Sequence, residues 1–417
     1  MKPNDEPRRL QYFVPDGYPT FRPDVSVLFG EAMPRLGVHS DLVAQKSTDD
    51  PVGTLPVWQG GRLCVCERSD GRIKNLLLAF FHNLRTLRQA RRERYQAIIV
   101  RDMAFFSVPA LWWARWQGLP LFFWMSFPMS ESSIDVVRLN GLKLGLVRFL
   151  FVAFKGYAGR WLLYRYVLPR ADHVFVQSDQ MRRDVAAEGI AFERMTPVPM
   201  GADMERIDRL DIQPAADPRL AGKRVLVYLG TLDRTRRIDF LFRVLKLVLA
   251  KEPNAILVLA GEAPEQLDRD WLQSQAVETG VEQAVIKTGW LPTEAAWQYV
   301  KAAEIGLSPF RPSFLLNSTS PTKVVEYLAL GIPAVANEHP DQAKVLGESG
   351  AGLCVPYEEA AFAEAVLKIL GDPALAGAMR LNGPAYVRAN RSYTSLATAV
   401  AGKLRELIEC VPLKQSA

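Results

Sequence analysis

The sequence contains little cysteine and little histidine, with four residues of each among 417. Cys64 and Cys66 lie closest together, but no cysteine belongs to a C-x-x-C motif or lies near a histidine with metal-ligand spacing. This scarcity excludes a disulfide scaffold and is typical of a protein from a reducing compartment. We therefore expect a cytoplasmic protein.

Long apolar runs are also absent. Residues 116–130 come closest, but they fall short of the roughly 20 residues that cross a bilayer, and they contain Pro120 and Pro128. The start of the chain has no apolar core followed by a cleavage site, so we expect no signal peptide. The remaining composition, 49% hydrophobic and 23% charged residues, is that of a globular protein of two or three domains.

Positive charge is concentrated in the first half of the chain. The net charge of +6 divides into +8 for residues 1–200 and −2 for residues 201–417. Residues 72–94 hold seven basic side chains and one acidic one, and residues 138–170 hold seven basic and no acidic ones. Both stretches interleave cations with apolar residues, which is typical of segments that bind anionic membranes.

Two other interpretations of these basic stretches remain open. They can be ordinary domain helices with solvated charges, because cations spaced about every five residues in the second stretch predict a ring around a helix rather than one charged side. Nucleic-acid binding is disfavoured because the chain contains no recognised binding module. Contact with an anionic membrane surface is the interpretation we prefer.

Alternating apolar runs and helical patterns predict an α/β fold with two doubly wound, Rossmann-like domains. We expect an N-terminal domain over 1–204, a linker over 205–223, a C-terminal domain over 224–390, and a helix within 391–417 that packs back toward the first domain. Parallel sheets bind ligands at the carboxyl ends of their strands, so we expect the function in a cleft between the domains. The predicted strands are 10–14, 41–44, 97–100, 121–125 and 173–176, then 224–230, 255–261, 285–289, 305–309 and 333–336.

The most informative motif begins at Ser320. Ser320 is suited to cap a helix and Pro321 to begin it, which places the backbone N–H groups of Thr322 and Lys323 at a helix end that attracts phosphate. Glu326 lies six residues beyond Ser320, about a turn and a half into the helix, where its carboxylate can accept hydrogen bonds from ribose hydroxyls. The simpler alternative is an ordinary capped helix with a solvated glutamate.

A second candidate phosphate site follows the strand predicted at 224–230. The sequence Gly230-Thr-Leu-Asp-Arg-Thr-Arg-Arg places Arg234, Arg236 and Arg237 in the loop before a helix. Arginine binds phosphate oxygens through paired hydrogen bonds, although a solvated basic loop gives the same pattern. Because both candidates follow strands of one domain, together they favour a diphosphate ligand.

With these motifs the chain resembles glycosyltransferase family 4, whose members have the two-domain GT-B fold. Gly230-Thr-Leu resembles the family's G-R-L motif, and Thr288-Gly-Trp-Leu resembles the turn that holds the base. Residues 318–326 occupy the E-x-x-x-x-x-x-x-E signature, and Glu326-Tyr-Leu-Ala-Leu-Gly-Ile-Pro matches its continuation. The chain departs from the family at Ser318, which replaces the first glutamate, and at Thr231, which replaces the arginine of G-R-L.

The resemblance implies a retaining transferase that moves a hexose from a UDP- or GDP-linked donor to an acceptor hydroxyl, without a metal or other cofactor. It implies that Glu326 holds the ribose, that Arg236 contacts the diphosphate, and that residues 318–323 hold the hexose and distal phosphate. Acceptor-side candidates are Gly17, Arg22, Arg101 and Ser126. The catalytic candidates are Glu326 and Ser318, and the donor-binding candidates are Gly230, Thr231, Arg234, Arg236, Trp290, Leu291, Thr319, Ser320, Thr322 and Lys323.

The basic stretches suggest which acceptor such an enzyme uses. Contact with the inner face of the plasma membrane suggests a lipid-linked or polysaccharide acceptor, as in the assembly of exopolysaccharide, lipopolysaccharide or capsule. Two alternatives stay open: an inactive GT-B protein that acts as a membrane partner of another transferase, and a transferase with a soluble acceptor. The first is suggested by Ser318 and by Ser126, which stands where the family has a histidine.

Overall fold

A computed structural model of the protein describes residues 7–47 and 57–410. Residues 1–6, 48–56 and 411–417 lie outside this description. The expectation of no signal peptide and the end of the predicted 391–417 segment fall partly on these residues. The chain forms two compact units, Met1–Pro199 with Tyr393–Ala417, and Met200–Ser392. Among the residues described, no helix combines the length and hydropathy required to cross a membrane.

The first unit contains a parallel sheet of seven strands in the order β3-β2-β1-β4-β5-β6-β7. Successive residues of β4, such as Ile98 and Ile99, pack into the cores on opposite faces of the sheet, which explains the continuous apolar run. The short strands β3 and β7 were not predicted. The strands are β1 (Arg8–Tyr18), β2 (Val38–Lys46), β3 (Leu63–Cys66), β4 (Ala97–Arg101), β5 (Leu121–Met125), β6 (His173–Val176) and β7 (Met195–Pro197).

Helices cover both faces of this sheet. A π-helical segment, Asp24–Ala32, follows β1 and runs directly into α1. Residues 138–170, which were predicted only as a basic stretch, form the end of α4 and all of α5. The helices are α1 (Met33–Arg35), α2 (Arg72–Leu87), α3 (Ala104–Gln117), α4 (Met129–Asn140), α5 (Leu146–Leu162) and α6 (Asp179–Ala187).

The second unit contains a sheet of six parallel strands in the order β10-β9-β8-β11-β12-β13. The five predicted strands are present, and β13 was missed. The strands are β8 (Arg224–Leu229), β9 (Ala255–Ala260), β10 (Val285–Lys287), β11 (Ile305–Ser308), β12 (Ala334–Asn337) and β13 (Gly352–Val355). The helices are α7 (Met204–Leu210), α8 (Asp239–Leu249), α9 (Gln266–Thr279), α10 (Thr293–Lys301), α11 (Phe314–Asn317), α12 (Thr322–Ala329), α13 (Pro340–Ser349), α14 (Glu359–Gly371) and α15 (Pro373–Tyr386).

The predicted linker at 205–223 is wrong, because the second unit already begins at residue 200. Met204 and Ile207 on α7 are buried in the core of that unit. The polar residues of the same short helix face outward, which gave the segment the composition of a linker.

The last helix, α16 (Tyr393–Glu409), belongs to the first unit. Leu396, Val400 and Leu404 are buried in the same core as Leu28 and Phe29. The first unit is therefore built from both ends of the chain, with the whole second unit inserted between them.

Candidate functional site

A cavity of about 410 Å³ lies in the second unit at the carboxyl ends of β8, β9 and β10. Carboxyl strand ends are where open parallel sheets bind ligands. The cavity brings together five of the predicted donor-binding and catalytic residues, which are Gly230, Thr231, Trp290, Leu291 and Glu326.

Glycines open the strand ends of this cavity. Gly230 follows β8 with a φ of +132°, and Gly261 follows β9 with a φ of +156°. A Cβ atom on Gly261 would overlap the carbonyl oxygen of Gly230, so no other residue permits this approach of the two strand ends. The result is a wall of exposed backbone that a ligand can approach closely.

Helix α12 is fixed on the sheet by Tyr327. The Tyr327 hydroxyl accepts a hydrogen bond from the backbone N–H of Leu229 (2.9 Å) and donates one to the carbonyl of Leu307 (3.2 Å). The ring fills the space above Gly306, where a Cβ atom would overlap it. Glu326 precedes Tyr327 and lines the cavity, so its position follows from this anchor.

The helix start differs from the prediction. Helix α12 begins at Thr322, Pro321 occupies the cap position, and no side chain caps the helix. The Ser320 hydroxyl donates to Asp341 (2.6 Å) and accepts from the backbone N–H of Met200 (2.9 Å). Ser320 is therefore not the cap, because Asp341 holds its hydroxyl. The backbone N–H groups of Thr322 and Lys323 still lie in the first turn.

Lys323 is a buried cation beside the cavity. Its side chain is 8% exposed and forms no ion pair within residues 7–47 and 57–410. The Nζ atom lies 5.2 Å from the ring centre of Tyr228 and 4.8 Å from that of Phe310. Burial and the charge of Arg236 lower the pKa of Lys323 to about 7, although Glu326 opposes the shift.

Glu326 lies one turn beyond Lys323 on the same helix. Burial raises the pKa of Glu326, and the Lys323 charge opposes this rise most strongly. The pair places a carboxylate on the cavity wall and a cation close to Gly230, since a Cβ atom there would lie 3.1 Å from Cε of Lys323. The carboxylate can accept hydroxyl hydrogen bonds, and the cation can bind an anion.

The arginines of the loop after β8 have separate roles. Arg234 is directed toward α9, where it pairs with Asp268 (3.4 Å) and donates to the carbonyl of Leu267 (2.7 Å). Among the residues that the structure describes, the carboxylate partner of Arg236 is the distant Asp233 at 3.8 Å, and the charge of Arg236 acts on Lys323. Of the two predicted arginines, Arg236 is therefore the one placed to share an anion with Lys323.

The loop from Ser318 to Ser320 is held in place by hydrogen bonds from its own hydroxyl groups. Ser318 is buried and ends α11, and the Thr319 hydroxyl donates to the carbonyl of Leu316 (2.7 Å). The ring of His339 also contacts that carbonyl through Nε2 (2.7 Å). Thr319 and Ser320 thus hold the loop in place, and the predicted contact of their hydroxyls with a hexose stays a prediction.

Trp297 is a cavity residue that sequence analysis missed. Its side chain is buried, it lines the cavity beside Glu326, and its Nε1–H forms no hydrogen bond of normal geometry among the described residues. The Glu326 carboxylate is nevertheless close enough for this donor to lower the pKa of Glu326. A buried indole donor without a fully formed hydrogen bond is costly, so it marks a position where a ligand oxygen, or a closer approach of the Glu326 carboxylate, fits. On sequence alone, Trp297 cannot be distinguished from a core residue of α10.

The predicted acceptor-side residue Arg101 is buried at the end of β4. Its side chain is 1% exposed and forms ion pairs with Asp24, with Asp16 (3.4 Å) and with Asp102 (3.7 Å). The guanidinium is thus surrounded by carboxylates of its own unit. Arg22 is exposed and pairs with Asp16 (3.6 Å), so it is the more accessible of the two arginines.

Asp102, which was not predicted, lies at the carboxyl end of β4 and is held by Ser126. It adopts a φ of +51°, and its carboxylate accepts hydrogen bonds from the backbone N–H (2.8 Å) and the hydroxyl of Ser126. Burial raises the pKa of Asp102. A charged residue directly after a buried strand was the signal available for Asp102.

Gly17, the last acceptor-side candidate, lies near the end of β1 against Ser47.

One face of α5 is apolar and exposed to solvent. The opposite face packs on α4 through Gly156 and Gly159, since a Cβ atom on Gly156 would lie 2.9 Å from Cγ1 of Ile134. Arg148 and Lys155 lie on one flank of the exposed face, and Arg160 lies on the other flank, where it pairs with Glu131 (3.4 Å) and Glu188. We name this face the apolar stripe; it consists of Val147, Leu150, Phe154, Tyr157 and Trp161.

Comparisons with known proteins agree with this architecture. Residues 27–201 match the family model described as glycosyl transferase 4-like domain, and residues 223–372 match the model described as glycosyl transferases group 1. No curated protein sequence matches the chain significantly.

Solved structures of similar shape cover nearly the whole chain. Sucrose-phosphate synthase from Thermosynechococcus elongatus is 20% identical, with a TM-score of 0.69 over 96% of this chain and 99% of that one. Trehalose 6-phosphate synthase from Burkholderia multivorans is 15% identical, with a TM-score of 0.70 over 99% of both chains. HepE from Anabaena, solved with UDP, is 14% identical, with a TM-score of 0.67 over 96% of this chain and 100% of that one. At these identities the likeness shows the shared GT-B fold.

Proposed function

Because the chain belongs to the glycosyltransferases that join a 4-like domain to a group 1 domain, we propose that it is a retaining hexosyltransferase with a membrane-associated, lipid-linked saccharide acceptor. The transferase activity is supported most strongly by the cavity at the ends of β8, β9 and β10, with Glu326 on its wall and Lys323 beside it. The UDP bound in HepE supports a nucleotide diphosphate sugar as the donor, linked to UDP or GDP. We place the enzyme in polysaccharide biosynthesis.

In the proposed reaction, charge on the leaving diphosphate is neutralised by protein groups. The acceptor oxygen attacks the anomeric carbon, the bond from that carbon to the phosphate oxygen breaks, and the acceptor proton moves to the departing phosphate oxygen. Lys323, Arg236 and the free N–H groups of α12 supply positive charge where it develops. These positive groups support a reaction without a metal or other cofactor. In this reaction Glu326 binds the ribose, and Trp290 and Leu291 flank the base.

The apolar stripe supports the membrane part of the proposal. An amphipathic helix with exposed aromatic residues and flanking cations lies in the interface of an anionic bilayer. Within the described part of the chain, Arg148 and Lys155 have no carboxylate partner, so their charges remain free for lipid head groups. The anionic cytoplasmic leaflet of the plasma membrane is the surface that fits this arrangement.

A transfer assay with a stripe variant tests this proposal. We expect label from UDP- or GDP-hexose to enter the lipid extract of bacterial membranes. The variant Leu150→Glu with Phe154→Glu is expected to lose binding to phosphatidylglycerol vesicles and most of this transfer, because it places charge on the apolar stripe. The matched variant Leu381→Glu, at an exposed leucine of α15, should bind vesicles normally.

Each alternative predicts a different result. Transfer to a soluble sugar that needs no vesicles would favour a soluble acceptor. Vesicle binding without any donor turnover would favour an inactive partner of another transferase.

Nucleotide binding is expected to take up a proton at Lys323. The pKa of about 7 means that this lysine is mainly neutral above pH 7 in the free protein, and a bound diphosphate raises the pKa again. Affinity for UDP should therefore fall by up to about tenfold per pH unit above pH 7. Calorimetric titrations at pH 8 in buffers of different ionisation enthalpy measure the proton uptake.

A matched pair of variants isolates the responsible group. Lys323→Met should abolish the uptake, whereas Lys368→Met, at an exposed lysine of α14, should retain it. Equal uptake by both variants would contradict the role of Lys323.

A further inference from the structure

A second cavity lies in the first unit and has no part in donor binding. Its volume is about 270 Å³, and it is bounded by the ends of β1 and β2 and by helices α2, α3, α4 and α5. Its walls are mainly apolar, which is the character of pockets that hold hydrocarbon rather than water. The apolar wall includes Val14, Leu76, Phe80, Phe105, Phe106 and Met129.

The two ends of the cavity differ in character. Asp102 and Gln45 line it at the carboxyl ends of the strands, where a saccharide would meet the sheet. Leu76 and Phe105 are exposed to solvent as well as lining it, so the cavity opens at the surface. Lys155 also lines it, and the same residue flanks the apolar stripe. The cavity therefore reaches from the strand ends to the surface that carries the stripe.

We propose that this cavity binds the part of a single hydrocarbon chain that adjoins the phosphate of the lipid-linked acceptor. The inference rests on the proposed function and identifies the chemical class of its acceptor. Lys155 lines the cavity itself, so its long side chain provides a cation for a phosphate held between the strand ends and the apolar wall, and no carboxylate pairs with it among the described residues. The cavity is too small for a whole lipid, so the rest of the chain continues along the apolar stripe into the membrane.

The cavity and the stripe contribute differently to recognition. An exposed apolar stripe with cations attracts any anionic bilayer, because its contacts are not directional. A walled cavity accepts one chain of limited width and rejects a two-chain phospholipid. The arrangement thus selects the acceptor lipid from the excess of membrane phospholipid around it.

Binding of decyl phosphate to the full chain tests the inference. We expect decyl phosphate, below its micelle concentration, to bind at least about tenfold more tightly than butyl phosphate, because additional methylene groups leave water. Inorganic phosphate should bind more weakly than either. Dihexanoyl phosphatidylglycerol should not compete. Equal competition would assign the cavity to membrane phospholipid and overturn the proposal.

Two variants test the position of the ligand. Ala79→Trp fills the cavity from α2 and should remove the preference for decyl over butyl phosphate. The matched variant Ala187→Trp, at an exposed alanine of α6, should keep it. Lys155→Gln should reduce the affinity for decyl phosphate to that for decanol, which tests the site even where the tryptophan variant does not fold.

Nucleotide binding separates this inference from the function on which it rests. A thermal shift with UDP shows that the donor site is intact in each variant. If UDP binds and decyl phosphate does not bind more tightly than butyl phosphate, the cavity assignment alone is wrong. The assignment is also wrong if the Ala79→Trp variant keeps native affinity for decyl phosphate. If no nucleotide binds, the proposed function itself fails.

Discussion

An enzyme in which alanine replaces Glu326 is expected to transfer hexose at least about 100-fold more slowly. The substitution removes a half-buried carboxylate from the wall of the donor cavity, and with it the proposed hydrogen bonds to ribose. Hydrogen bonds to a charged group contribute about 1.5–3 kcal/mol each, so two of them correspond to roughly a 100-fold loss or more in kcat/KM. A radiolabel transfer assay under subsaturating donor measures this loss directly.

The same substitution should also alter Lys323. Glu326 is the largest influence that raises the pKa of Lys323, so its removal should lower that pKa further and shift proton uptake to lower pH. Glu278→Ala, which removes an exposed glutamate of α9, is the matched control and should transfer at the native rate. Full activity in the Glu326→Ala protein would refute the assignment of the donor site.

Replacing Asp341 with alanine is expected to destabilise the second unit by about 3–5 kcal/mol. Asp341 accepts hydrogen bonds from Arg391 (2.6 Å) and from the Ser320 hydroxyl (2.6 Å), and both charged side chains are almost fully buried. Its loss leaves the Arg391 guanidinium buried without a counter-ion. Thermal unfolding with and without UDP identifies the transition of the second unit, because only that transition should depend on nucleotide.

Two further variants distinguish the buried charge from a general loss of packing. Asp208→Ala removes the partner of Arg388, which lies three residues before Arg391. Because the Arg388–Asp208 pair is exposed, its loss should cost at most about 1 kcal/mol. Combining Asp341→Leu with Arg391→Met removes both buried charges and should recover much of the lost stability, because apolar residues often replace a buried ion pair without loss. A double variant as unstable as Asp341→Ala would show that charge burial is not the cause.

Much of the fold could be predicted because apolar runs mark buried parallel strands. Strands such as β4 and β9 are covered on both faces, so their sequences are continuously apolar. β13 was not predicted because all four of its residues are only partly buried and it begins with Gly352, a residue that is rare in strands. The start of the second unit at residue 200 was not predicted, because Met204 and Ile207 are too few apolar residues to reveal a short buried helix.

The candidate donor site was more predictable than the candidate acceptor side. Glu326 and Trp290 lie in motifs with fixed spacing, and the structure places both at one cavity. The burial of Arg101 depends on carboxylates that lie far away in the sequence, such as Asp24, and no local pattern shows that pairing. Ser320 suits a helix cap locally, yet Asp341 competes for its hydroxyl from another helix.

The position of α16 determines when the first unit can mature during synthesis on the ribosome. Its core requires Leu396, Val400 and Leu404, which are translated only after residues 200–392. At about 5–20 residues per second, the nascent first unit waits roughly 10–40 s with that part of its core uncovered. The second unit, whose chain is continuous, completes its fold first. Premature termination before residue 393 would therefore leave an intact second unit attached to an open, aggregation-prone first unit.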